Sequence, residues 1–185
     1  MASFTPSAHA KHAPRDEAAF ATGVLFVHSC PRALVPHVEW ALAREIGRVV
    51  KLDWEPQPLM PSTMRTVANW RGPSGTAVSV ASSLFGWQQL RFEISEDHGP
   101  AGDGGRWMHT PSLGIFHLQT DAAGNGVLTE SAIRAAIEAS GTDAVSLAGA
   151  LKQALGSAWD RELDPFRAAE EGDATIFELP RLSAG

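Results

Sequence analysis

The run Gly23-Val24-Leu25-Phe26-Val27-His28 constrains the fold more than any other stretch of this chain. Read with the two-residue period of a strand, it puts Val24 and Phe26 on one face and Leu25 and Val27 on the other. A strand that is apolar on both faces belongs in the middle of a sheet and is covered on both sides. The apolar run stops at His28, Ser29 and Cys30, and a turn with Pro31 and Arg32 follows. Pro36 then suits a helix start, because its missing N–H would have had no partner there. Polar groups crowded where a central strand hands over to a helix are a common way to build a site.

After Pro36, Val38, Ala41, Leu42 and Ile46 follow helical spacing, Arg44 and Arg48 face outward, and Gly47 ends the helix. Val50, Leu52 and Trp54 alternate with Val49, Lys51 and Asp53, which predicts a half-buried strand over 49–54. Pro56, Pro58 and Pro61 force a loop, and Met64 to Trp70 alternates again. Residues 76–85 carry Val78, Ala81, Ser82 and Phe85 at helical spacing before Gly86, which predicts a helix. Leu90, Phe92 and Ile94 against Arg91 and Glu93 give a one-sided strand. The order is βαββαβ, which predicts an α+β fold with a ferredoxin-like core: an antiparallel sheet with helices on one face.

C-terminal strand and helical elaborations follow. A flexible Gly-rich loop is expected over His98–Gly105, a strand over 106–119 interrupted at Pro111, and a turn at Ala123–Gly126. Thr129 caps a helix to Ser140, and a longer helix runs from Ala144 to Leu163. That helix is expected to stop before Asp164-Pro165, since a residue preceding proline avoids helical geometry. Residues 174–179 look like a last strand. The domain organisation is a disordered leader over 1–20, rich in Ala, Pro, Ser and His, a single α+β domain over 21–180, and a flexible tail over 181–185.

The length of 185 residues is enough for one domain with a real core. A net charge of −6 with no dense basic run argues against nucleic acid as a partner. The single cysteine, Cys30, excludes an intramolecular disulfide and a cysteine zinc cage, and it fits a reducing compartment. No stretch has the apolar core of a signal peptide or the length of a membrane span, so a soluble cytoplasmic protein that engages no membrane is expected. Six tryptophans and no tyrosine supply large apolar volume, and such rings serve a core more often than a ligand.

His28 has the same strand parity as Val24 and Phe26, and at a strand's end it could act as a general base. Ser29 or Cys30 could be a nucleophile, but neighbouring strand residues point to opposite faces and no Gly-x-Ser-x-Gly elbow is present. A buried polar cluster is the simpler reading. His28, His37, His109 and His117 with Glu39, Asp53 and Asp160 could ligate a metal. Yet His37 and Glu39 diverge by about 200° on a helix, and no metal-ligand spacing appears. No metal and no cofactor are therefore assigned. Arg32 lies just before a helix N-terminus, and with His28 and His37 it could hold a phosphate or carboxylate; the alternative is that Arg32 pairs with Glu39 or another acid to fix the turn. Asp160, Glu162 and Asp164 read as a solvated helix end, and Gly102-Asp103-Gly104-Gly105 as a connector. The candidate ligand-binding set is His28, Ser29, Arg32, His37, Glu39 and His109, with no catalytic residue assigned.

The stretches VHSCPRALVPHVEW, LDW, GWQQLRFE, HTPSLGIFH and AWDRELDPFR, in that order over most of residues 23–170, resemble an actinobacterial family of uncharacterised proteins, domain of unknown function 3145. The resemblance implies no established activity, substrate or catalytic residue. It does imply an association, in some actinobacteria, with genes for dissociated fatty-acid synthesis. The function expected is a non-enzymatic binding or accessory module for a protein partner or an acyl or anionic ligand. The alternative is a small enzyme using His28 or His37 as general acid/base on an acyl or phosphorylated metabolite. RNA binding on an open sheet finds no matching aromatic motif. Oligomeric state is left open.

Overall fold

Strand β1 (Phe20–Pro31) is one of the two long strands and lies inside the sheet, as its two apolar faces require. The computed structural model describes residues 20–99 and 102–171. Residues 1–19 of the leader expected over 1–20, the strand expected over 174–179 and the tail over 181–185 lie outside the described residues, while Phe20, expected to end the leader, opens β1. β1 pairs with β3 (Thr63–Pro73) on one side and β4 (Arg91–Glu96) on the other. With β2 (Glu55–Pro56), β5 (Gly104–Thr110), β6 (Gly114–Thr120) and β7 (Gly126–Val127), they form a seven-stranded sheet in the order β2-β3-β1-β4-β5-β6-β7. Every pairing is antiparallel. Among the described residues five α-helices complete an α+β fold, wider than a simple βαββαβ unit.

Helix α1 (Val35–Ile46) follows a short 3-10 turn at Arg32–Leu34 and ends on Gly47, whose φ of 75° is the left-handed cap expected there. α2 (Thr76–Phe85) occupies the predicted span. Its N-terminus is capped from outside: the Glu96 carboxylate accepts from the Gly75 and Ala77 N–H groups at 2.8 and 3.0 Å. α3 (Glu130–Ser140) is capped by Thr129, which accepts from Ala132 N at 3.2 Å. α4 (Ala144–Ala154) and α5 (Ser157–Glu171) follow.

α1 and α2 pack on one face of the sheet. There Leu25, Val27, Phe92 and Ile94 are buried with Val38, Ala41, Leu42, Val80, Ala81 and Leu84 in a single apolar cluster. Each of the Val, Leu, Ile and Phe side chains among them contributes about 1.5–3 kcal/mol on leaving water.

The expectation of helices on one face is corrected by α5, which contacts β1 and β5 from the opposite side. Leu163 and Phe166 are buried in that contact. β1 is therefore covered on both faces, and the charged face of β4 that read as solvated is closed over.

Three further expectations are corrected. Residues 49–54 form no strand. Their polar groups turn to Glu39 instead, whose carboxylate accepts from Lys51 Nζ at 2.8 Å, Leu52 N at 3.1 Å and Trp54 Nε1 at 3.3 Å. The helix expected over 144–163 is two helices, broken at Gly156 with φ 87°. It then continues through Pro165 to Glu171. Pro165 and Arg161, the residue one turn before it, are both exposed, so the bond that proline removes is lost on the solvent side of the helix, where its cost is least. Finally, Gly104 and Gly105 are not loop: they open β5, opposite Thr120 and Gln119 of β6.

Candidate functional site

At the end of β1 the ladder slips. Its register shifts between Val27 and Ser29 against β4, and between Val27 and Cys30 against β3. Such a bulge frees a backbone carbonyl from regular pairing. The carbonyl of His28 accepts instead from the side-chain amide of Gln57 at 2.6 Å. The imidazole keeps the face of Phe26, with the two rings nearly parallel and 6.0 Å apart, and Phe166 of α5 closes over it. His28 is fully buried, and its Nε2 donates to Glu93 Oε1 at 2.7 Å.

Glu93, only 6% exposed, is the centre of a charged cluster between the sheet and α5. Arg106 of β5 donates to Glu93 Oε2 through Nε at 3.0 Å and Nη2 at 2.6 Å. Arg167 of α5 donates to Oε1 through Nε at 2.7 Å and to Oε2 through Nη2 at 2.8 Å. Asp160 accepts from both arginines, at 2.9 and 3.0 Å, and Asp164 from Arg167 at 2.6 Å. Burial alone would raise the Glu93 pKa. Hydrogen bonds from His28 and Arg167 and the charge of Arg106 outweigh it and hold the carboxyl well below the ordinary range. Asp160 and Arg167 share one helical face, seven residues apart. The cluster thus fastens α5 to β4 and β5.

The other candidate residues do not gather round His28. Ser29 is buried, with Arg91 Nη1 3.4 Å from its Oγ. Cys30 is buried too, its thiol donating to the Pro31 carbonyl at 3.3 Å, and burial pushes its pKa up to about 12. At neutral pH that thiol is protonated and a poor nucleophile. Glu39 is committed to the 51–54 segment. Burial acts to raise its pKa, but the bonds from Lys51, Leu52 and Trp54 win and lower it. His109 lies on the α1/α2 face, stacked on Phe92 at 5.2 Å, with its Nδ1 donating to the Leu90 carbonyl at 2.9 Å. Burial lowers its pKa, keeping the ring neutral. His117 stacks on Trp107 at 4.5 Å. His37 is exposed beside Trp87, on the far side of the sheet from His28. Arg32 is exposed and makes no hydrogen bond or ion pair among the described residues, so the expected Arg32–Glu39 pair is absent there. Among the described residues no group of three or more His, Cys, Asp or Glu side chains is placed to hold a metal ion.

The sequence model of one family matches residues 24–179, most of the chain; its description is a protein of unknown function, DUF3145. The chain belongs to the DUF3145 family. No curated protein and no solved structure matches it.

The stretches by which the chain resembles DUF3145 proteins meet in the charged cluster. VHSCPR contributes His28, GWQQLRFE contributes Glu93, and AWDRELDPFR contributes Asp160, Asp164 and Arg167. In this DUF3145 chain these side chains hold a helix on a sheet, with the charges of the cluster paired to one another. Sequence reasoning missed Glu93, Arg106 and Arg167. Their signal was available as a strand face carrying Arg91 and Glu93, and a helix with Asp160, Asp164 and Arg167 at spacings of three and four.

What faces water is different. On α1, Trp40 is 65% exposed, with the Arg44 guanidinium 6.0 Å from its ring centre. Arg48 follows the left-handed cap at Gly47, beyond the end of the helix, and His37 lies about one turn before Trp40. The sequence placed Arg44 and Arg48 outward but gave Trp40 no role beyond general aromatic volume. No helix of the described residues is long and apolar enough to cross a membrane.

Proposed function

We propose that this DUF3145 protein is a non-enzymatic binding or accessory module that holds a protein partner on the outer face of α1. The observation that carries this reading is Trp40, an indole left in water at mid-helix beside Arg44. Trp and Arg are the side chains most enriched at binding hot spots, where burial of the ring on contact supplies most of the energy. Arg32 and Arg48, without an ion-pair partner among the described residues, flank it in a chain of net charge −6, whereas Arg44 and Lys51 are held by Glu45 and Glu39. The partner in this reading presents acidic groups around an apolar pocket. The family association alone suggests that it belongs to acyl-chain metabolism.

The reading keeps the protein in the actinobacterial cytoplasm, which an unpaired cysteine suits. It also takes the first half of the chain as a ferredoxin-like core. What supports that is the strand order β2-β3-β1-β4, with α2 joining the two strands that flank β1.

A photo-crosslinking residue at position 37, one turn before Trp40, with a second at Ile133 on α3 as control, tests the reading in native cells with the indole left in place. The expected result is an acidic protein joined from position 37, not from 133, and lost when Arg44 and Arg48 are replaced by Glu. Capture of the same proteins from both positions, or capture indifferent to the arginines, rules the reading out.

A further inference from the structure

Among the described residues the outer edge of β3 is open from Val67 to Gly72, and α5 ends beside it. Asp97 N–H donates to the Thr22 carbonyl at 2.8 Å, so the even-numbered residues of β1 bond β4. The odd ones bond β3, through Gly23↔Trp70, Leu25↔Ala68 and Val27↔Thr66. By the same alternation, the N–H and C=O groups of Val67, Asn69 and Arg71 point away from β1. β2 takes only Met64 and Arg65 of that edge. Arg65 also reaches up to α5, where its Nη1 donates to the Ala169 carbonyl at 3.0 Å. The last turn of α5 thus lies within one arginine side chain of β3, at the point where the pairing with β2 stops.

We propose that the chain's own segment 174–179 closes this edge as a strand parallel to β3. The direction follows from β2, which fills the edge at Met64 and Arg65, so a chain descending from α5 runs toward Gly72. Residues 172–174 supply the step down to the sheet, since three extended residues span about 10 Å. The segment is bounded by Gly172, a residue that ends helices, and by Pro180, which ends ladders. Its six residues match the six from Val67 to Gly72. The family match also runs past α5 to residue 179, the end of this segment. Charge selects the register. With Ala174 beside Val67 and Ile176 beside Asn69, Glu178 falls beside Arg71, whose guanidinium lies 5.2 Å from the Phe20 ring and makes no ion pair among the described residues. Thr175, Phe177 and Leu179 then share the face of Ala68 and Trp70, the face on which α1 and α2 pack. A slip of two residues moves Glu178 off Arg71, and a slip of one turns Phe177 and Leu179 to the other face. The outer edge that results is short, carries Glu178 and stops at Pro180, so it resists pairing with another copy. The inference is independent of the α1 reading.

Amide exchange and disulfide trapping in the full chain test this. The amides of Val67, Asn69 and Arg71 are expected to exchange slowly. Phe177→Pro removes the donor to the Asn69 carbonyl and is expected to speed exchange at Asn69 and Arg71 at least about tenfold, with Phe26, whose amide bonds β4, unchanged. Val67→Cys combined with Ala174→Cys is expected to form a disulfide within one chain on oxidation. Side-by-side residues of paired strands lie about 4.8 Å apart, inside the disulfide range of roughly 4.4–6.8 Å. Val67→Cys combined with Glu178→Cys, about 13 Å apart along the strands at roughly 3.3 Å per residue, is expected to stay reduced. Cys30 is buried and does not compete. Fast exchange at the three amides overturns the proposal, as does failure of the 67–174 link, a 67–178 link formed as readily, or a disulfide between two copies. Slow exchange indifferent to Phe177→Pro also overturns it, and assigns the edge to a different occupant.

Discussion

Glu93→Gln keeps the shape of the side chain and removes the charge that Arg106, Arg167 and His28 converge on. Two guanidinium groups then share Asp160 with an amide between them. Removing one partner of a buried ion pair costs about 3–5 kcal/mol, and urea unfolding of the variant is expected to show a loss of that size. The same carboxylate sets an acid limit. Its folded pKa lies below the unfolded value of 4.5, so its contribution is complete above that pH and is lost as pH falls through the depressed value. His109 adds to this from a higher pH. Its folded pKa is lowered from 6.5, so the unfolded chain takes up the proton first and stability starts to fall below about that value. Thermal unfolding measured from pH 8 down to pH 3 should therefore show a flat region, a first decline near 6.5 and a steeper one below 4.5. His109→Gln should shrink the first decline, leaving the part that His117, also lowered from 6.5 by burial, contributes, and should leave the second unchanged. In the sequence, His28 could be assigned a face from parity with Phe26. Its partner could not be named, because Glu93 has the pattern of a solvated strand residue until a helix distant in sequence covers it.

The breaks between elements depend on tertiary contacts more than on local preference. Gly156 separates α4 from α5 at φ 87°, and a Cβ there would lie 2.6 Å from Phe116 and 2.8 Å from Met108. Gly156→Ala thus combines a left-handed backbone cost of about 1–2 kcal/mol with a clash against the sheet. A loss of about 2 kcal/mol or more is expected in denaturant unfolding, and near-ultraviolet circular dichroism should report the displaced Phe116–Trp159 stack. Helices α1, α2 and α3 were legible because their caps are local: Gly47, Gly86 and Thr129 lie in the sequence beside the helices they end or begin. α5 was not, because the local rule at Pro165 is overridden by Leu163, Phe166 and Arg167, all held against the sheet. The segment 49–54 failed for a related reason. Its alternation is that of a strand, but the Glu39 carboxylate, more than ten residues earlier, takes its donors.

On the scale of the molecule, charge is divided between two tasks. Acidic groups beneath α5 are matched by arginines inside the protein, where they fasten a layer of the fold. Around α1 two cations are left without a protein partner among the described residues, Arg32 and Arg48, with Trp40 between them in sequence. Fixed positive charge at the surface of an otherwise acidic chain costs little stability and acts at a distance of about one Debye length, roughly 8 Å at physiological salt. It therefore governs how fast a partner arrives, whereas the indole governs how long it stays. Replacing Arg48 by Glu is expected to slow association with the crosslinked partner by on the order of tenfold at low salt, and the difference should shrink as salt is added. Trp40→Ala is expected to leave association nearly unchanged and to speed dissociation instead. Both positions are exposed, so each variant should unfold within about 0.5 kcal/mol of the parent chain. Association and dissociation rates measured at two salt concentrations separate these effects. If both substitutions act on the same rate constant, or if either lowers stability to the same extent as binding, α1 contributes to the fold and not to recognition.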